Sequence, residues 1–104
     1  MVPRGYRPTR PEFSAISRGR RHASKHFSVV YTTASSPRVA IVIPKKVAPT
    51  AVARHELKRR IAPLVVAWVA NHSHCRVVVY AKAKAAALSP AALRVEIAEL
   101  LGTL

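Results

Sequence analysis

A chain of 104 residues can bury one modest core, so one domain is expected. Half of its residues are hydrophobic, which excludes a disordered polyelectrolyte, yet 18 Lys and Arg stand against only four acids, a formal net charge of +14. Such an excess opposes folding by self-repulsion and points to a polyanionic partner, nucleic acid ahead of an anionic membrane surface.

The opening stretch MVPRGYRPTRP has prolines at 3, 8 and 11 and no apolar centre. Residues 1–11 therefore read as a flexible basic arm carrying Arg4, Arg7 and Arg10, not as a signal peptide, with the folded domain over 12–104. PEFSAISRG predicts a short helix: Pro11 suits its first turn, Glu12 its N-terminus, Phe13 and Ile16 share a face and Gly19 ends it. HFSVVYTT (26–33) has the β-branched and aromatic content of a strand. After the turn ASSP, RVAIVI (38–43) is apolar on both faces and predicts a central strand, paired with the preceding one as a hairpin.

Thr50 is placed to cap a long helix from about Ala51. Leu57, Ile61, Leu64 and Trp68 form its expected apolar stripe. Beside it Arg54 and Lys58, and His55 and Arg59, repeat one turn apart and project as one basic face, with Lys45 and Lys46 just before the helix. Cations on a rigid helix can meet a row of phosphates, and a merely solvated face would hold more acids. Pro63 inside the pattern should kink or divide the helix. CRVVVYAK (75–82) predicts another strand. LSPAALRVEIAELLG predicts a last helix, with Ser89 as N-cap, Leu93, Ile97, Leu100 and Leu101 buried, and Gly102 closing it. The order gives an α+β single domain: a short N-terminal helix, a mixed sheet of about four strands, a long basic helix in a β-α-β crossover and a C-terminal helix.

No constellation for catalysis is present: no paired carboxylates, no nucleophile with a base in supporting context, no Gly-rich phosphate loop. His72, His74 and Cys75 lack the second ligand pair that a structural zinc site needs. No metal site is expected, and chemistry falls to a partner. The lone Cys75 suits a reducing, cytoplasmic location. The longest apolar run, PLVVAWVA, is too short for a bilayer, so no membrane partner is expected. Phe13, Phe27 and Tyr31 lie near the basic region, where rings either pack in a core or stack on single-stranded RNA.

The segments EFSAISRGRR, HFSVVYTT, PRVAIVIPKKVAPTAVARHELKRRI and CRVVVYAK together resemble the protein component of bacterial ribonuclease P, from about Glu12 to Leu101. Arg38 to Ile61 is the most specific part: a strand ending in a Lys pair, a linker, then a helix opening with an Arg-Asn-Arg motif and Lys-Arg. Lys45 and Lys46 match the Lys pair, Arg54 the first Arg, and Lys58 and Arg59 the Lys-Arg. His55 replaces the Asn, Glu56 the second Arg, Ala62 a further usual Arg, and Ser17 an aromatic of the first helix. The resemblance implies a ribosomal-protein-S5-domain-2-like fold and the non-catalytic protein subunit of a tRNA 5′-maturation endoribonuclease. Ribonuclease P RNA, which carries out the hydrolysis with Mg²⁺, and precursor tRNA are the implied partners, and the protein is expected to be monomeric without RNA. Lys45, Lys46, Arg54, His55, Lys58 and Arg59 would contact the RNA subunit. Phe13 and Tyr31 would line a cleft for the 5′ leader, though a one-residue shift in strand register decides which face Tyr31 takes. A small basic ribosomal or RNA-chaperone protein is the alternative.

Overall fold

The first helix starts one residue before Pro11, because Thr9 caps it. The Thr9 hydroxyl accepts from the Glu12 N–H and the Glu12 carboxylate accepts from the Thr9 N–H, a reciprocal pair that satisfies two otherwise orphaned donors. The T-x-x-E spacing carries this signal in the sequence. The structure is a computed structural model and describes residues 2–104; Met1, first residue of the expected arm, lies outside them. The elements are α1 (Arg10–Ser17), β1 (Arg20–Ala23), β2 (Phe27–Thr33), β3 (Arg38–Val42), α2 (Ala51–Ala70), β4 (Cys75–Ala81) and α3 (Pro90–Leu101), with 3-10 turns at Arg4–Tyr6 and Ala85–Ala87.

One mixed sheet runs in the order β1-β2-β4-β3, with β2 antiparallel to β4 and β3 parallel to it. The expected hairpin between β2 and β3 is therefore not formed, and β3 is an edge strand, not a central one. β4 takes the place between them. Its three successive valines, Val77, Val78 and Val79, are fully buried, which requires cover on both faces. The linker 34–37 crosses the end of β4 instead of turning tightly. Ala34 N–H donates to the His74 carbonyl (2.8 Å), and Arg76 holds Ser36 through its carbonyl (3.0 Å) and hydroxyl (3.1 Å). Short, charged β1 has no apolar alternation to announce it; Arg20 and Arg21 are exposed on a sheet edge, where charge discourages pairing with another chain. It is reached through Gly19, where a Cβ would collide with the Tyr31 carbonyl and the Thr32 side chain.

The pairing register sorts side chains onto two faces. Phe27, Val29, Val77, Val79 and Val39 share the face covered by α2 and α3, and form the main core with Leu57, Ile61, Val65, Val69, Leu93, Ile97, Leu100 and Leu101. Val30 and Val78 lie on the other face, where buried Ile16 brings α1 against β2 and β4. The stripe on α2 is shifted from expectation. Leu57 and Ile61 are buried, but Ala62, Val65 and Val69 continue it while Leu64 and Trp68 are half-buried, because the helix turns one broad arc towards both the sheet and α3. Pro63 does not divide α2, which is continuous from Ala51 to Ala70. It is exposed, so the Arg59 carbonyl that it leaves without a donor lies on the wet side of the helix. Thr50 and Ser89 cap their helices as expected, and Gly102 follows α3 in an ordinary right-handed conformation.

The β1–β2 turn is tied to α3 by Glu96. Its carboxylate accepts from the Ser24 hydroxyl, from the His26 N–H (2.7 Å) and from His26 Nδ1 (2.7 Å), while Lys82 Nζ donates to the Ser24 carbonyl (2.8 Å). Burial pushes the Glu96 carboxyl up, but the hydrogen bonds from Ser24 and His26 outweigh it and hold the group below its usual range. A depressed carboxyl stabilises the fold at pH values above its unfolded-chain value, and that contribution is lost as the pH falls through the folded value. Glu96→Ala should therefore cost about 1–3 kcal/mol at neutral pH, and the gap to the parent protein should close in acid. Denaturant titrations from pH 7 downwards check this; a gap constant with pH would mean that the carboxylate charge plays no part.

Candidate nucleic-acid interface

Two cationic surfaces lie on opposite sides of the sheet. The first begins where β3 ends. Pro44 stops the strand, and its carbonyl accepts from Val47 N–H (3.0 Å) and Ala48 N–H (3.2 Å), closing a turn that leaves Lys45 and Lys46 exposed. Half-buried Arg54 reaches back from α2, and its Nη1 donates to the Ala48 carbonyl (3.0 Å) and the Pro49 carbonyl (3.1 Å). The lysine turn and the helix are thereby fastened into one unit. The four basic residues of α2 lie beside the apolar stripe and differ in exposure. His55 and Arg59 are exposed, whereas Arg54 and Lys58 are half-buried on the flank, with Lys58 beside Val39 and Ile41 of β3. Glu56 lies 4.0 Å from both Arg59 and Arg60 on the exposed side, too far and too wet to neutralise either strongly.

The second surface is the sheet face that carries α1. Glu12 accepts from Arg38 Nε (3.1 Å) and pairs with Arg76 Nη1 (3.4 Å). The Thr9 N–H, and then the two guanidinium groups, hold its carboxyl below the usual range against the effect of burial. Away from α1, this face presents Arg21, Ser28, Tyr80, Val42 and Ala40. Arg21 Nη1 donates to the Ser28 hydroxyl (3.0 Å), and the Arg21 guanidinium lies 5.6 Å from the centre of the Tyr80 ring.

Phe13, one turn before Ile16, is half-buried. Tyr31 does not join it. Its strand partner is Val77, it packs against the α2–α3 core, and its ring is 5.6 Å from that of His22. The register turns Tyr31 to the side away from α1, which corrects the expectation that it lines a cleft there. Tyr80, which the sequence alone did not single out, lies on the sheet face that carries α1. It alternates with Val78 and Arg76, but the sequence does not reveal which parity of β4 faces α1. His72 stacks on Trp68, 3.9 Å between centroids and nearly parallel, with its Nδ1 2.8 Å from the Trp68 carbonyl. Burial pushes the Cys75 thiol up. No group of three or more His, Cys, Asp or Glu suited to a metal ion occurs among the described residues. Among the described residues, no helix is long and apolar enough to cross a membrane.

A family model described as Ribonuclease P matches residues 8–104. Among solved structures, the chain is similar to the RNase P protein of Staphylococcus aureus, with a TM-score of 0.76, 20% identity and coverage of 94% of each chain. It is also similar to the RNase P protein of Thermotoga maritima, with a TM-score of 0.74, 21% identity and coverage of 94% of this chain and 96% of that one. No curated relative matches.

The Arg54 contacts give a test that needs no ligand. Arg54→Ala should speed amide hydrogen exchange over residues 44–50 while β4 and α3 keep their protection, at a stability cost of about 1 kcal/mol. Unchanged exchange in the turn would show that Arg54 does not hold it.

Proposed function

The chain belongs to the ribonuclease P protein family, and on that premise we propose how its two cationic surfaces share the work of tRNA 5′ processing. It is the protein subunit of a metal-dependent ribonucleoprotein and acts with the RNA subunit. On this proposal, the α2 side binds that RNA through Lys45, Lys46, Arg54, His55, Lys58 and Arg59. His55 and Arg59 meet phosphates directly, while Arg54 sets the Lys45–Lys46 turn against the helix. The precursor tRNA leader crosses the open sheet face, between Phe13 at α1 and the Arg21–Tyr80 pair, where an aromatic ring and a cation suit a stacked base and its phosphate. The observation that carries the reading is this placement of cations on both sides of one sheet, so that two RNA strands can be held at once. The segment before α1, with Arg4 and Arg7, serves as a basic arm, whereas Arg10 and Pro11, expected in that arm, belong to α1.

The four glutamates suit Mg²⁺ poorly: Glu12 lies between Arg38 and Arg76, Glu56 beside Arg59 and Arg60, Glu96 is occupied by Ser24 and His26, and Glu99 is a lone exposed carboxylate outside any metal-binding group among the described residues. Mg²⁺ is therefore assigned to RNA phosphates, where it would supply an activated water for phosphodiester hydrolysis. The chain's own part is to neutralise phosphate charge and position the leader. The protein is monomeric without RNA, as the self-repulsion of a +14 charge favours, and cytoplasmic, as a single unpaired cysteine suits.

RNA-free protein should cleave nothing, and added to the RNA subunit it should lower the Mg²⁺ needed to process precursor tRNA; cleavage by the protein alone would overturn the division of roles. Arg59→Ala should weaken RNA-subunit binding and flatten the log–log salt dependence by about one unit without changing the melting temperature. Glu56→Arg should tighten binding and steepen the slope by about one unit; unchanged affinity and slope in both variants would turn this flank of α2 away from RNA.

Tyr80→Ala should weaken precursor tRNA relative to mature tRNA by about 1–3 kcal/mol. Tyr31→Ala should lower stability without that discrimination. Equal losses for both substrates in Tyr80→Ala would assign Tyr80 to packing.

A further inference from the structure

At the outer edge of the sheet, between the two surfaces, is a cavity of about 340 Å³ lined chiefly by Arg7, Pro8, Val39, Ile41, Lys58 and Ala62. Three properties meet there. The floor is apolar: Val39 and Ala62 are buried and Ile41 half-buried. Cations stand on two sides, Arg7 from the N-terminal segment and Lys58 from the half-buried flank of α2. The third property is the strand edge itself. β3 pairs only with β4, and among the described residues no backbone hydrogen bond joins 2–8 to β3. The segment is tied to the strand by a side chain instead, Arg38 Nη1 donating to the Gly5 carbonyl (3.4 Å), while Arg7 Nε closes the segment on itself by donating to the Val2 carbonyl (3.1 Å). The outward N–H and C=O groups of β3 therefore have no strand to answer them.

We propose that this cavity binds one unpaired nucleotide of RNA. The base lies against Pro8 and Ile41, above buried Val39, and its polar edge meets the outer edge of β3. Its phosphate is held by Arg7 and Lys58. An apolar ligand would leave the two cations and the strand edge unanswered, and a bare phosphate would leave the accessible apolar surface of Pro8 and Ile41 uncovered; a nucleotide answers all three. The small side chain of Ala62 leaves the space, since a longer one there would project into the cavity. The position also fits. β3 is the ridge between the open sheet face and α2, so a strand passing from one surface to the other crosses at this point. The proposal rests on the assignment of both surfaces to RNA and names a site that joins them. The nucleotide can come from the RNA subunit or from the precursor leader.

Methyl NMR of the parent protein, titrated with the four nucleoside 5′-monophosphates and with ribose 5-phosphate, tests the chemistry. Saturable shifts at Val39, Ile41 and Ala62 are expected with the monophosphates, weakened about tenfold when Arg7 and Lys58 are both replaced by Gln, a loss of about 1.4 kcal/mol. Ribose 5-phosphate binding as tightly as the monophosphates would reduce the site to an anion patch and overturn the proposal, as would shifts confined to other residues. The photo-crosslinking residue p-benzoylphenylalanine, placed at position 8 in the reconstituted complex, separates the sources. Adducts to an unpaired nucleotide of the RNA subunit, or to the leader, support the site and name its origin; adducts only to paired nucleotides, or none, oppose it. Protein that supports precursor cleavage yet shows no such shifts or adducts fails this proposal alone, whereas protein that supports no cleavage fails the functional assignment.

Discussion

The position of β4 is the constraint on which the rest depends. Three consecutive buried valines cannot sit at a sheet edge or on a half-solvated face without exposing apolar surface, so β4 lies inside the sheet with cover on both sides. Its parallel neighbour β3 must then be reached by a crossover, and α2 is that crossover, laid on the core face. With α2 and α3 covering one side, α1 needs to cover only part of the other, and the remainder stays open. The open face and the basic helix are thus consequences of one strand's hydrophobicity.

The second constraint is charge. With so few acids, two of them, Glu12 and Glu96, are built into contacts within the fold. Glu12 sits where Arg38 and Arg76 are brought side by side by the parallel register, and it also closes the helix cap, so one carboxylate serves both the fold and the cation pair. Glu96 is spent on fastening α3 to the β1–β2 turn. Neither compensates the lysine turn or the exposed flank of α2. Those cations are left for a ligand, which is the condition under which counterion release can drive binding to RNA.

Both surfaces hold cations in place through the fold's own contacts. On the α2 side, Arg54 uses two carbonyls to hold the Lys45–Lys46 turn, so the spacing of cations is set before any RNA arrives. On the sheet side, Arg21 is held by Ser28 and Tyr80 across neighbouring strands. Preorganised cations lose less side-chain freedom on binding than free ones, which matters for a protein that must hold a large polyanion at modest contact area.

Local signals determined much of this protein on their own. Thr50 and Ser89 cap their helices, α3 buries the four residues its periodicity marks, and the Lys45–Arg59 segment carries its cations whatever the sheet does, because caps and helical faces depend on residues a few positions apart. Strand order and register were decided only by the tertiary structure. Adjacency in sequence suggested a β2–β3 hairpin, but pairing depends on which strands can be buried together, and the edge strand β1, short and charged, carries no periodicity that could announce it. Register settled the site as well: because alternate residues of a strand face opposite ways, one pairing sent Tyr31 to the core and Tyr80 to the open face. That parity is a property of strands far apart in the chain, and no single strand contains it.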